Sequence, residues 1–207
     1  SGRLQSSYDA KRARLEAEDS QYHAAAEDLL RAVGGPVRLP DEAIEVAKTL
    51  EAGEAVRVLR RIRQQNPRLV EAQVALADAL QQAGQYHEAE AEYRDLVRGL
   101  PTDPRVHFGL GRVLLSLGDY AAALDALDAA AKLGEISGEF HALRGETLIR
   151  LQRYRDAASA YRQALRTNVE NITWRLNLGI SLASSGPDGR AEAEQRLREV
   201  LAMDSAN

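Results

Sequence analysis

The sequence predicts an all-α protein: one alpha-alpha superhelix, a solenoid of antiparallel helix pairs running over residues 1–207 in about five to six repeats. Three observations carry this expectation. Apolar residues make up 44% of the chain but aromatics only 5%, and the bulk is Ala and Leu set among Arg, Glu and Gln, all strong helix formers. A set of small, aromatic and proline columns recurs every 34 residues, a period of the length that marks stacked supersecondary units. Within each period, apolar residues at helical spacing flank a turn glycine.

The columns can be read directly. Ala77, Gly111, Gly145 and Gly179 form one, and Tyr86, Tyr120 and Tyr154 a second. Ala55, Ala89, Ala123 and Ala157 form a third, Leu59, Tyr93, Leu127 and Tyr161 a fourth, Pro67 and Pro101 a fifth. Counted from residues 70, 104, 138 and 172, these are positions 8, 17, 20, 24 and 32 of each unit.

Taken in order, residues 6–39 read as a degenerate first repeat, because "QYHAAAEDLLRAV" (21–33) echoes "QYHEAEAEYRDLV" (85–97). The echo is 64 residues away, where two periods require 68. The four missing residues are close to one helical turn of about 3.6, so the buried face stays in phase. The loss is placed in 40–69, a shortened repeat whose inter-helix turn is expected to be cut short. Residues 70–103, 104–137 and 138–171 are full repeats. Gly84 and Gly118 supply the tight turn between their helices, but Gln152 stands where the third glycine belongs. In the final repeat, 172–204, "SSGPDGR" (184–190) adds about two residues before Ala193, Leu197 and Val200 resume positions 20, 24 and 27.

The ends are less regular. Leu4, Tyr8 and Leu15 form a thin apolar stripe expected to cap the array, and "GGP" (34–36) ends the first unit's second helix. No amphipathic capping helix follows "MDSAN". That end is expected to be covered by a longer natural chain, a partner or a second copy.

These columns resemble the tetratricopeptide repeat. Residues 70–103 match its pattern with Leu76, Ala77, Leu80, Gly84, Tyr86, Ala89, Tyr93, Leu96 and Pro101. Residues 104–137 match with Leu110, Gly111, Leu114, Gly118, Tyr120, Ala123, Leu127 and Ala130; residues 138–171 with Gly145, Leu148, Tyr154, Ala157, Tyr161 and Ala164. Arg144 at position 7 and Gln152 depart from it. The small residues at 8 and 20 let two backbones approach, and the large one at 24 fills the space beside them.

Little points to catalysis. There is no Cys, which removes disulfides, thiolate chemistry and cysteine metal sites. No phosphate loop, nucleophile elbow or zinc-binding helix motif occurs. His107 and His141 share position 4 on adjacent first helices, about 8–10 Å apart by helix-packing distances, too far for shared zinc ligation. They read as half-buried packing residues, and His23 and His87 as surface residues. No catalytic residue, cofactor or metal is expected. The net charge of −4 is evenly mixed, so nucleic acid is not expected, and no apolar run reaches the roughly 20 residues of a membrane span. Arg57, Arg60, Arg61 and Arg63 read as a solvated face. Arg outnumbers Lys 24 to 3, which suggests GC-rich bacterial coding; periplasm and cytoplasm both remain open.

The resemblance implies that positions 2, 5, 9, 12 and 13 of each first helix line a concave groove. The candidate partner-binding residues are therefore Glu71, Val74, Asp78, Gln81, Arg105, Phe108, Arg112, Glu139, Ala142, Glu146, Ile149, Leu176 and Ile180, with Leu115, Ser116 and Arg150 beside them. Phe108 and Leu176 are not required for internal packing and are expected to face a partner. The carboxylate clamp of chaperone-binding members needs Lys at position 5 and Asn at position 9; Val74/Asp78, Phe108/Arg112, Ala142/Glu146 and Leu176/Ile180 stand there instead. The function implied is a non-catalytic scaffold or adaptor for a protein or peptide, in bacterial envelope or secretion machinery, with self-association through the open terminal repeat as a second mode. The alternative is the repeat portion of a larger enzyme such as a glycosyl- or sulfotransferase. An RNA-binding array is disfavoured by Glu71, Asp78, Glu139 and Glu146.

Overall fold

A computed structural model describes residues 40–134 and 137–204; the expectations for 6–39, the stripe at Leu4, Tyr8 and Leu15, "GGP", His23 and the last three residues lie outside them. All regular structure among the described residues is helical. The helices are α1 (Pro40–Ala47), α2 (Ala52–Gln65), α3 (Val70–Gln82), α4 (Tyr86–Gly99), α5 (Pro104–Leu117), α6 (Tyr120–Lys132), α7 (Gly138–Arg150), α8 (Tyr154–Thr167), α9 (Ile172–Ser184) and α10 (Arg190–Asp204), with a 3-10 turn at Pro187–Gly189 before α10. They fall into two compact units, Ser1–Leu96 and Val97–Asn207.

In the first unit, α1 packs on α2 and α3 through Ile44 and Ala47, and α2 packs on α3. The turn after α1 is not cut short as expected: Lys48–Glu51 leave a connection of ordinary length before α2. Ala77 and Ala89 are fully buried, and the Tyr93 ring is buried as well, its hydroxyl donating to Asp78 Oδ1 at 2.7 Å. α2 and α4 each end two residues before a proline, Pro67 and Pro101, which cannot donate to the preceding turn.

In the second unit each helix pair closes on one close contact. A Cβ added to Gly111 would lie 2.8 Å from Leu127 Cγ, one on Gly145 2.8 Å from Tyr161 Cε2, and one on Gly179 2.7 Å from Leu197 Cδ2. Position 8 is small because the position-24 side chain rests directly on its backbone. Gly179 against Leu197 also fixes the register of the last pair, two residues longer in its turn. The inter-helix turn demands a left-handed residue: Gly118 sits at φ +83°, and Gln152 is held at φ +58° without being glycine.

The pairs then stack. Phe140, 1% exposed, packs on Leu127 and Ala130 of the preceding pair, joined by Phe108 and Ala131. One period later Trp174 packs beside Tyr161, with Ala142 and Leu165. First helices start on a side-chain cap three residues before these rings: Ser137 accepts from Phe140 N at 3.1 Å and Asn171 from Trp174 N at 3.0 Å.

Candidate partner-binding surface

The first helices of the second unit carry the candidate surface, and α7 touches both α5 and α9. An open cleft of about 570 Å³ lies between α5 and α7. It gathers Arg112, Leu115 and Ser116 from α5 with Glu146 and Arg150 from α7, over Leu143 and Tyr120. These are positions 9, 12 and 13, one stripe of each helix, brought side by side by stacking. Glu146 and Arg150 pair at 3.6 Å across one helical turn, both half-exposed; such pairs are weak and can open to a ligand. The cleft thus brings guanidinium and carboxylate groups together above apolar side chains.

The remaining candidates are placed as follows. Arg105 is exposed and bound to Asp103 by Nε and an NH2 group, at 3.1 and 2.7 Å. That bond and the helix start hold the Asp103 carboxyl below its ordinary range. Phe108 is half-buried, its ring centroid 6.2 Å from that of Phe140, with the Arg112 guanidinium carbon 5.9 Å from the same ring. It therefore shares in packing between repeats, a role the spacing did not reveal because its partner sits at position 3, where Ala72, Val106, Phe140 and Trp174 differ in size. Ala142 and Ile149 are also half-buried against core residues, and Glu139 is exposed. Leu176 and Ile180 stand 39% and 41% exposed, and Ile172, which the sequence did not single out, 38%. Spaced at i, i+4 and i+8, these three form one stripe of α9.

In the first unit Glu71 is exposed and Val74 and Gln81 are half-buried. Asp78 is committed to the Tyr93 hydroxyl. Three of the four arginines of α2 are paired, Arg57 with Glu54, Arg60 with Glu88 and Arg63 with Glu92. His107 and His141 are half-buried; His107 Nε2 lies 2.9 Å from the Pro101 carbonyl oxygen and His141 meets the Phe140 ring edge-on at 5.2 Å. Burial, together with the nearby Glu146 charge, raises the Tyr161 phenol above its ordinary value, so it stays neutral in the core, its oxygen accepting from Asn177 Nδ2 at 3.2 Å. No group of three or more metal-ligating side chains comes together among the described residues, and no helix there is long and apolar enough to cross a membrane.

The sequence pattern of the tetratricopeptide repeat matches residues 41–103, 74–135 and 143–206. The chain is a member of the tetratricopeptide repeat family. Solved structures agree on the fold. MamA AMB-1 superposes with a TM-score of 0.72 at 19% identity, covering 83% of this chain and 100% of that one. MamA 41-end from Desulfovibrio magneticus RS-1 gives 0.67 at 18%, covering 91% and 96%. No curated protein sequence matches significantly. The family match points to a protein-interaction role for this chain.

Proposed function

We propose that this tetratricopeptide-repeat chain is a scaffold that holds a peptide or protein partner against the first helices of its second unit. The observation that carries the reading is the cleft between α5 and α7, where Arg112, Glu146 and Arg150 converge over Leu115 and Leu143. A few charged groups over an apolar floor, on rigid helices, is the arrangement that fixes an extended chain by one or two anchors. Arg105, Phe108, Glu139, Ala142, Ile149, Leu176 and Ile180 extend the same surface. The exposed Arg150 guanidinium, held only loosely by Glu146 at 3.6 Å, offers donors to an acidic anchor on the partner. A bacterial setting, in envelope or secretion assembly, is supported only by the Arg-rich, Cys-free composition.

The test is a pull-down from the native proteome with the intact chain and with an Arg112→Glu/Arg150→Glu variant, quantified by mass spectrometry. The variant is expected to lose its main partner. Because Arg112 also rests over the half-buried Phe108 ring, a thermal melt separates lost binding from lost folding, and Arg150→Glu alone, at an exposed position, should stay within about 2 °C of the parent. A double variant that retains every partner would remove the cleft from consideration.

A further inference from the structure

A different cavity lies between two consecutive helix pairs of the second unit. α9 packs against both α8 and α10, and a pocket of about 240 Å³ remains where the three meet. Buried Leu178 lines it, beside half-buried Leu165 and exposed Val169. With these apolar groups stand four arginines and no carboxylate: Arg162 and Arg166 from α8, Arg175 from α9 and Arg196 from α10.

Carboxylates outside the lining answer three of the four. Arg162 pairs with Glu192 at 2.6 Å and Arg196 with Glu199 at 3.2 Å. Arg175 reaches Glu170 at 3.4 Å and Glu199 at 4.0 Å. Arg166, exposed in the last turn of α8, has no acid among the described residues. Arg196 also keeps a donor in hand: its Nε is buried without an acceptor, Glu192 Oε1 standing 3.9 Å away. A buried N–H left so is costly unless something accepts from it. Four guanidiniums against Glu170, Glu192 and Glu199 leave one positive charge, with free donors on two sides of the cavity.

The repeat does not require this set. One unit earlier the same places carry Asp128, Lys132 and His141, and Ala160 where Arg196 stands. The cluster is particular to this junction.

Size, charge and lining together define what the cavity suits. Sites for whole drug-sized ligands run to about 300–1,000 Å³, so this one has room for a single head group and a short carbon part. A carboxylate would only repeat the pairs that three arginines already have. A phosphate monoester brings about −1.5 to −2 charges at neutral pH and three acceptor oxygens. It can take a donor from α8 and another from α10 at once, a geometry guanidiniums match. Leu165 and Val169 favour an ester over the free ion.

We propose that the cavity between α8, α9 and α10 binds a small organic phosphate monoester, its oxygens accepting from Arg166 and Arg196 and its carbon part lying on Leu165 and Val169. A ligand held so adds a bridge between consecutive helix pairs, beside the Arg162–Glu192 pair. The site shares no residue with the cleft between α5 and α7 and does not rest on the reading of that cleft.

The probe is phenyl phosphate, titrated into the full chain by isothermal calorimetry at physiological ionic strength, with inorganic phosphate and benzoate as comparisons. Saturable binding is expected, several-fold tighter than either comparison. Arg166→Gln removes an exposed side chain without an ion pair, so it should melt within about 2 °C of the parent. It should weaken phenyl phosphate at least about tenfold, which corresponds to about 1.4 kcal/mol. Arg196→Gln should weaken it as well, whereas Arg150→Gln, in the other cleft, should change nothing. Three outcomes overturn the proposal: no saturation at tens of millimolar probe, benzoate or inorganic phosphate binding as tightly as phenyl phosphate, or an affinity indifferent to Arg166→Gln or lowered equally by Arg150→Gln.

Discussion

Positions 5 and 8 of a first helix are three residues apart, yet they follow different rules. Position 8 reads Ala77, Gly111, Gly145 and Gly179, and every second-unit member lies under a position-24 side chain with no space for a methyl group. Position 5 reads Val74, Phe108, Ala142 and Leu176, and its exposure rises from half-buried to 39% according to what stacks on it. The first contact closes inside a pair and must be met in every repeat, so one solution recurs. The second closes between a repeat and whatever follows it, so the residue varies with the neighbour. The inner seam therefore specifies the fold, and the outer stripe is where the residue type can differ without unfolding anything.

The sharpest way to break the contrast is to put bulk on the seam. Gly145→Leu places a branched side chain against the Tyr161 ring, which is 1% exposed and has nowhere to move. Overpacking of this kind is expected to cost about 3 kcal/mol and to lower the melting temperature by roughly 6–12 °C. Leu176→Ala, on the stripe, should stay within about 0.5 kcal/mol. Equal losses in a thermal melt would show that the two positions are not distinct.

Phe108 sits between these extremes, and it sharpens the comparison. Its ring is half-buried against Phe140, so Phe108→Ala should lose about 1–2 kcal/mol of stability in a denaturant titration, less than a fully buried ring. A side chain serving only a partner would lose none.

The same division explains what was legible in the sequence. The seam columns, the turn glycines and the proline stops were readable because sterics leave one or two residue types at each. The cap column was not: Leu69, Asp103, Ser137 and Asn171 are 34 residues apart, but Ser137 and Asn171 accept from the backbone N–H three residues on, Asp103 from the one two residues on, and Leu69 makes no such bond. The position-3 residues that pack on the preceding pair in the second unit, Phe140 and Trp174, likewise differ from Ala72 and Val106 in size, so the column hides this task. The place of the four-residue loss was misjudged as a turn because spacing counts residues and cannot tell helix from loop. For the candidate surface, helical spacing places positions 9, 12 and 13 on one stripe, but the cleft was not legible, because it depends on how α5 and α7 stack.

Gln152 tests whether the turn belongs with the seam. It holds φ +58°, a conformation that costs a residue with a Cβ about 1–2 kcal/mol relative to glycine. Gln152→Gly should therefore stabilise the chain by about 1 kcal/mol, after allowance for the greater freedom glycine gains in the unfolded state, and raise the denaturant midpoint. A decrease would mean that the Gln152 side chain contributes something the turn geometry does not show.

The smallest effect concerns the helix starts. Asp103 caps α5 by accepting from Arg105 N at 2.9 Å, and the Arg105 side chain binds the same carboxylate. Asp103→Asn keeps an acceptor for the cap but removes the charge, so at neutral pH it should cost only about 0.3–1 kcal/mol, the worth of an anion at a helix N-terminus. The sign with pH follows from the carboxyl being held below its ordinary value of 3.8, chiefly by its bond to the Arg105 side chain. A carboxyl whose folded pKa is depressed gives its full stabilisation above the unfolded pKa and loses it as the pH falls through the folded one. The difference between parent and Asp103→Asn should thus be constant from pH 7 down to about 5, then shrink below pH 4. Ser137 and Asn171 cap α7 and α9 without a titrating group, so α5 alone among these three helices should show this acid sensitivity. A parent–variant difference that stays flat to pH 2 would mean that the Asp103 charge contributes nothing beyond the cap.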